Sequence, residues 1–61
     1  MIGDKIKNLR KLQRISLRSL AEKSGISKST LSDVENDKSS PTINTLEKIA
    51  DALGVPLDYL T

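Results

Sequence analysis

The sequence predicts an all-α domain of five short helices, and three observations predict it. Apolar residues recur at steps of three and four along most of the chain, the spacing that lines one face of a helix. The second, third and fourth segments each open on a serine or threonine, and the second and fourth close on glycine. Those residue types satisfy the backbone groups that a helix end leaves without partners. No stretch alternates apolar and polar residues as a half-buried strand would. At 61 residues the chain makes a single domain, 1–61, with no internal repeat and no low-complexity tract.

The first helix is expected from Gly3 to Gln13. Ile2, Ile6, Leu9 and Leu12 fall on one face, while Lys7, Lys11 and Arg14 point away into solvent. The second begins after Ser16, whose hydroxyl can accept a first-turn backbone N–H. Ile15 and Leu20 flank that cap as a hydrophobic staple, and Gly25 closes the helix. The device repeats at once, with Ser27 as cap and Ile26 and Leu31 as staple. In this third helix Leu31 and Val34 face inward, leaving Lys28, Ser29, Ser32 and Asp33 on the outer side. Residues 36–41, NDKSSP, are turn chemistry without periodicity and form a loop. Thr42 caps the fourth helix, with Ile43, Leu46, Ile49, Ala50 and Leu53 as its apolar stripe and Gly54 as its stop. Pro56 fits the first position of a short fifth helix ending at Leu60.

Composition excludes several function classes. There is no cysteine and no histidine, so neither a disulfide nor a zinc site staples the chain. Its core comes from Leu, Ile, Val and Ala, because Tyr59 is the only aromatic residue. No enzyme chemistry is indicated: a histidine base, a cysteine nucleophile, a metal-ligand cluster and a phosphate-cradling glycine loop are all missing. No cofactor is expected. Single-stranded nucleic acid, which is held by stacking on aromatic rings, is disfavoured with one tyrosine near the end of the chain. No apolar run approaches the ~18 residues of a membrane span and no signal-peptide pattern opens the chain, so a cytoplasmic protein without membrane contact is expected.

The net charge of +2 is unevenly distributed. Residues 1–28 carry eight lysines and arginines against two acids, whereas residues 29–61 carry two against six. Such asymmetry fits either a solvated basic face or a surface turned toward an anionic partner.

The order Leu20, Ala21, Gly25, Leu31, Val34 and Glu35-Asn36 resembles the helix-turn-helix of the Cro/cI (XRE) repressors. Each residue has a physical reason to be there. Ala21 is small where the third helix crosses the second, Gly25 supplies the dihedral of the turn, and the three larger residues fill the wedge between the helices. The similarity continues into the Ser40-Pro41-Thr42 entry to the fourth helix and the IADALGVPLDYL ending. It implies a compact lambda-repressor-like domain with its helix-turn-helix at about 16–36. Ser24 departs from the apolar residue usual in the family, which weakens the expected packing of the second helix. The opening MIG and the KSTLSDVEN segment further resemble the DNA-binding domain of SinR-type regulators.

The resemblance implies double-stranded DNA as partner, with a recognition helix at about 28–35 in the major groove. Carried onto matching positions, the base readers are Lys28, Ser29 and Asp33, with Ser32 adjacent. Lysine suits guanine O6 and N7. Asp33 either accepts from cytosine N4 or repels unsuitable sequences. Phosphates fall to the amino end of the second helix, through the Leu17 main chain and the Arg18 guanidinium, and to Ser27, Asn36, Lys38 and Ser39, with Ser40 as a further helper. Arg10 and Glu35 stand where the family has a partly buried ion pair.

By the same resemblance, Val55, Pro56, Leu57 and Tyr59 form the surface of a homodimer on an inverted repeat; the alternative is that Leu57 and Tyr59 merely cover the core. The implied role is a transcriptional regulator, in the first instance a repressor. The alternative is an antitoxin-type or other protein-interaction module of the same fold. Ending just after the fifth helix, the chain reads as an excised DNA-binding domain, monomeric in dilute solution, from a regulator with a further effector or oligomerisation domain.

Overall fold

The computed structural model describes residues 1–61 and contains five helices: α1 (Ile2–Leu12), α2 (Leu17–Ser24), α3 (Lys28–Glu35), α4 (Ile43–Leu53) and α5 (Leu57–Leu60). Three amino-terminal caps form as their chemistry predicts. The side chains of Ser16, Ser27 and Thr42 accept from the backbone N–H of Ser19, Thr30 and Thr45 respectively. Gly25 and Gly54 close α2 and α4 in the left-handed region, at φ 73° and 71°. Two other helix ends reach the same region without glycine. Arg14 follows α1 at φ 58° and Asp37 follows α3 at φ 57°. In each case the next residue reaches back five positions, Ile15 N–H to Arg10 O and Lys38 N–H to Asp33 O, so orphan carbonyls are satisfied.

The core is Ile6 from α1, Leu20 from α2, Leu31 and Val34 from α3, four residues of α4 and Leu60. Ile15, Leu17, Ala21 and Ile26 pack around it half-buried, so both staple residues that precede caps sit against the core. Helix α4 supplies the hub, contributing Leu46, Ile49, Ala50 and Leu53.

Four expectations are corrected. Leu12, expected on the apolar face of α1, is 77% exposed. From Ile6 the pattern advances twice by three residues, and each such step falls about 60° short of a full turn, so Leu12 drifts off the face that Ile6 centres. Ile43 was assigned to the α4 stripe and is 57% exposed, because it is the first residue of the helix and burial begins one turn later at Leu46. Pro56 is the amino-terminal cap of α5 rather than its first residue, with an extended backbone at ψ 154°. The bounds of α1 also lie one residue earlier than the expected Gly3–Gln13, with Gln13 as its carboxyl-terminal cap.

Two contacts that pattern reading misses fix α1 in place. The Gln13 side-chain amide donates to Leu53 O at 2.7 Å, tying the end of α1 to the end of α4. Gly3 is buried against the carboxyl end of α3, and a Cβ there would stand 2.5 Å from Val34 O and 2.8 Å from Glu35 O. Only glycine lets the two backbones approach so closely.

Candidate nucleic-acid interface

The interface begins at the turn between α2 and α3. Gly25 adopts a conformation that side chains rarely tolerate, and the turn lets α3 pack across α2. Leu20 and Leu31 are fully buried in the angle, with Val34 beside them. Ser24, the departure from the apolar pattern, is buried as well. Its hydroxyl donates to Ala21 O at 3.4 Å and accepts from Ile26 N–H at 3.3 Å, so the polar group is satisfied inside the turn.

Burying Leu31, Val34 and Glu35 leaves the opposite face of α3 in solvent. Lys28, Ser29 and Asp33 are exposed there and Ser32 is half-buried, so the four residues singled out as base readers share one surface. Thr30 is also exposed, at the flank of this face. Ser27 forms the cap expected of it. Its hydroxyl accepts from Thr30 N–H at 3.2 Å and donates to Thr30 Oγ1 at 2.8 Å.

The residues assigned to phosphate lie at two places. Leu17 is the first residue of α2, where a backbone N–H has no intrahelical partner. Arg18 beside it is exposed, with its Nε 3.5 Å from Glu22 Oε1 in a loose surface pair. Asn36, Lys38 and Ser39 follow α3 and are all exposed. The Lys38 backbone N–H is used in closing the helix, at 2.8 Å from Asp33 O, which leaves its ammonium group to face a partner. Asn36 is turned back onto the recognition face, its amide donating to Ser32 O at 2.9 Å.

A brace stands behind this surface. Arg10 donates through Nε to Glu35 Oε2 at 2.7 Å and through Nη2 to Glu35 Oε1 at 3.1 Å, a two-pronged pair. Its third group, Nη1, donates to Ile15 O at 2.9 Å, a contact the sequence did not suggest. One guanidinium therefore links α1, the loop before α2, and the last turn of α3. No buried side-chain polar atom in the chain lacks a partner. At α5 and the turn before it Pro56 and Tyr59 are exposed and Val55 and Leu57 half-buried, while Leu60 fills the core as expected. Tyr59 shares a shallow apolar hollow with Leu9 and the exposed Leu12.

A helix-turn-helix family model matches residues 6–60. The immunity repressor protein of Bacillus phage phi105 is 43% identical over 59 residues, spanning 97% of this chain and 41% of that protein. The transcriptional regulator SinR of Bacillus subtilis is 46% identical over 61 residues, spanning 98% of this chain and 55% of its own. The chain thus spans about half the length of these relatives. Among solved structures, SinR, the master regulator for biofilm formation, in complex with DNA superposes with a TM-score of 0.93 at 44% identity, covering 98% of this chain and 97% of that one. With the family model matching 6–60 of the 61 residues, the chain belongs to the helix-turn-helix family of Cro/cI type.

Proposed function

We propose that this chain binds double-stranded DNA sequence-specifically and acts in transcriptional repression, with α3 laid in the major groove. The observation that carries the reading is the outer face of α3. Lys28, Ser29 and Asp33 are exposed there, and the exposed Lys38 and Arg18 supply cations for the phosphate backbone. The relatives support it: one is an immunity repressor, and SinR has been solved with DNA.

In this arrangement Lys28 donates to guanine O6 and N7, while Ser29, Ser32 and Asp33 read neighbouring bases. Phosphates are held by the Leu17 main chain, Arg18, Asn36, Lys38 and Ser39. A single helix-turn-helix reads only a few base pairs. Two copies on an inverted repeat double the site, with half-sites about one helical turn apart. Val55, Pro56, Leu57 and Tyr59 are the surface through which they would meet, and the cytoplasm is the compartment in which such a regulator acts.

The test is selection of bound sequences from a random duplex library, repeated with two variants. Lys28→Ala should relax preference at particular bases by ~1–3 kcal/mol each. Lys38→Ala should weaken all sequences alike and lower the salt slope by about one. Base preferences unchanged in Lys28→Ala would remove that residue from the reading set.

A further inference from the structure

Asn36 has been assigned above to the phosphate backbone, yet its side chain is already occupied. Its Nδ2 donates to Ser32 O at 2.9 Å and lies 3.4 Å from Ser32 Oγ. The first contact decides the second. A carbonyl oxygen only accepts, so Ser32 O requires the nitrogen end of the amide to point inward. That same nitrogen presents a donor to Ser32 Oγ, which must meet it with a lone pair. The hydroxyl proton of Ser32 is then directed elsewhere, and no group of the chain accepts it. Ser32 is half-buried on the face shared by Ser29 and Asp33, so its remaining open direction is the one in which a base edge would stand.

From this geometry we infer that Asn36 is a positioning residue that sets Ser32 as a hydrogen-bond donor toward DNA. A free serine hydroxyl donates or accepts with equal ease and specifies little. Held by Asn36, it discriminates. In the major groove guanine presents N7 and O6 as acceptors, adenine presents N7 and thymine presents O4, whereas cytosine presents only its N4 amino donor. At the base edge nearest Ser32, cytosine is therefore disfavoured, on the order of fivefold for one neutral hydrogen bond. The hydroxyl keeps its chemistry, and the amide behind it chooses which half of that chemistry is shown. The inference rests on the DNA-binding reading and deepens it at one position.

The experiment is library selection on duplex DNA with the wild-type chain and three variants, Ser32→Ala, Asn36→Ala and Asn36→Asp. Circular dichroism confirms that each stays folded, as expected for an exposed or half-buried polar residue. Ser32→Ala identifies the base position that Ser32 faces, by erasing the bias against cytosine at that position alone. Asn36→Ala weakens the bias at the same position. Asn36→Asp abolishes it, because a carboxylate offers no N–H to Ser32 O or Oγ and leaves the hydroxyl free to donate or to accept. The added charge of the aspartate lowers affinity for every sequence equally and does not move the ratio between bases.

If Asn36→Asp lowered affinity uniformly and kept the wild-type bias, Asn36 would be a backbone contact only and the inference would be overturned. Ser32→Ala with an unchanged profile at every position would overturn it equally. A wild-type chain that enriched no sequence at all would instead refute the DNA-binding reading on which it stands.

Discussion

Consider the loss of Glu35, whose side chain is 4% exposed, opposite Arg10 at 13%. In Glu35→Ala the guanidinium keeps its bond to Ile15 O but loses both carboxylate contacts, while remaining shielded from water. An uncompensated charge of this kind costs ~3–5 kcal/mol, far above the sub-kilocalorie worth of a solvated pair. A chain of 61 residues at ~0.05–0.15 kcal/mol per residue has a total stability of roughly 3–9 kcal/mol. The variant should therefore sit close to its unfolding midpoint at room temperature. Urea titration followed by far-ultraviolet circular dichroism reads this directly. At a slope near ~1 kcal/mol/M the midpoint should fall by about 3 M or more, or the folded baseline should vanish. Two controls locate the cause. Glu22→Ala, which removes the exposed pair with Arg18, should cost at most about 0.5 kcal/mol. The double variant Arg10→Met/Glu35→Leu, which removes both charges, should recover to within about 1 kcal/mol of the wild type. A loss below about 1 kcal/mol in Glu35→Ala would show that water reaches the guanidinium and that the brace is no stronger than a surface pair.

Gly3→Ala should destabilise the chain by ~1–3 kcal/mol in the same titration, although alanine is the better helix former by ~1 kcal/mol, because the new methyl meets the backbone oxygens of Val34 and Glu35. An unchanged or raised midpoint would mean that α1 and α3 separate freely at that end. Arg14→Gly should act in the opposite direction, since a non-glycine residue at φ 58° costs ~1–2 kcal/mol and glycine loses ~0.5–1 kcal/mol in unfolded-state entropy, leaving a net gain of about 0.5–1 kcal/mol. A lower melting temperature would count against the strain.

How far the fold could be read in advance follows from the range of each interaction. The caps at Ser16, Ser27 and Thr42 and the stops at Gly25 and Gly54 were legible because their chemistry is contained within a few residues. Leu12 and Ile43 were not, since periodicity marks a face but not where the neighbouring helix stops covering it. Gly3 carried no local sign, as its requirement comes from α3, some thirty residues away. Arg14 and Asp37 hid the same left-handed turn that glycine advertises elsewhere. At the site, the outward set on α3 followed from the burial of Leu31 and Val34. The capture of Ser32 by Asn36 and of the Ser27 proton by Thr30 did not, because each depends on hydroxyl and amide directions that residue type leaves open.

The brace of Arg10 and Glu35 holds the inner side of α3, while Lys28, Ser29 and Asp33 stand on the other side with nothing packed on them. In the proposed DNA-binding role, folding and reading thus fall to different residues of the same two-turn helix. In that role a substitution at Lys28 or Ser29 should change what is read while leaving stability within about 0.5 kcal/mol, the usual range for the surface. A duplicated gene of this design can therefore acquire a new operator by single steps, every intermediate of which is folded. Diversity among its descendants would accumulate on that outer face first, and at Gly3, Arg10, Gly25 and Glu35 last.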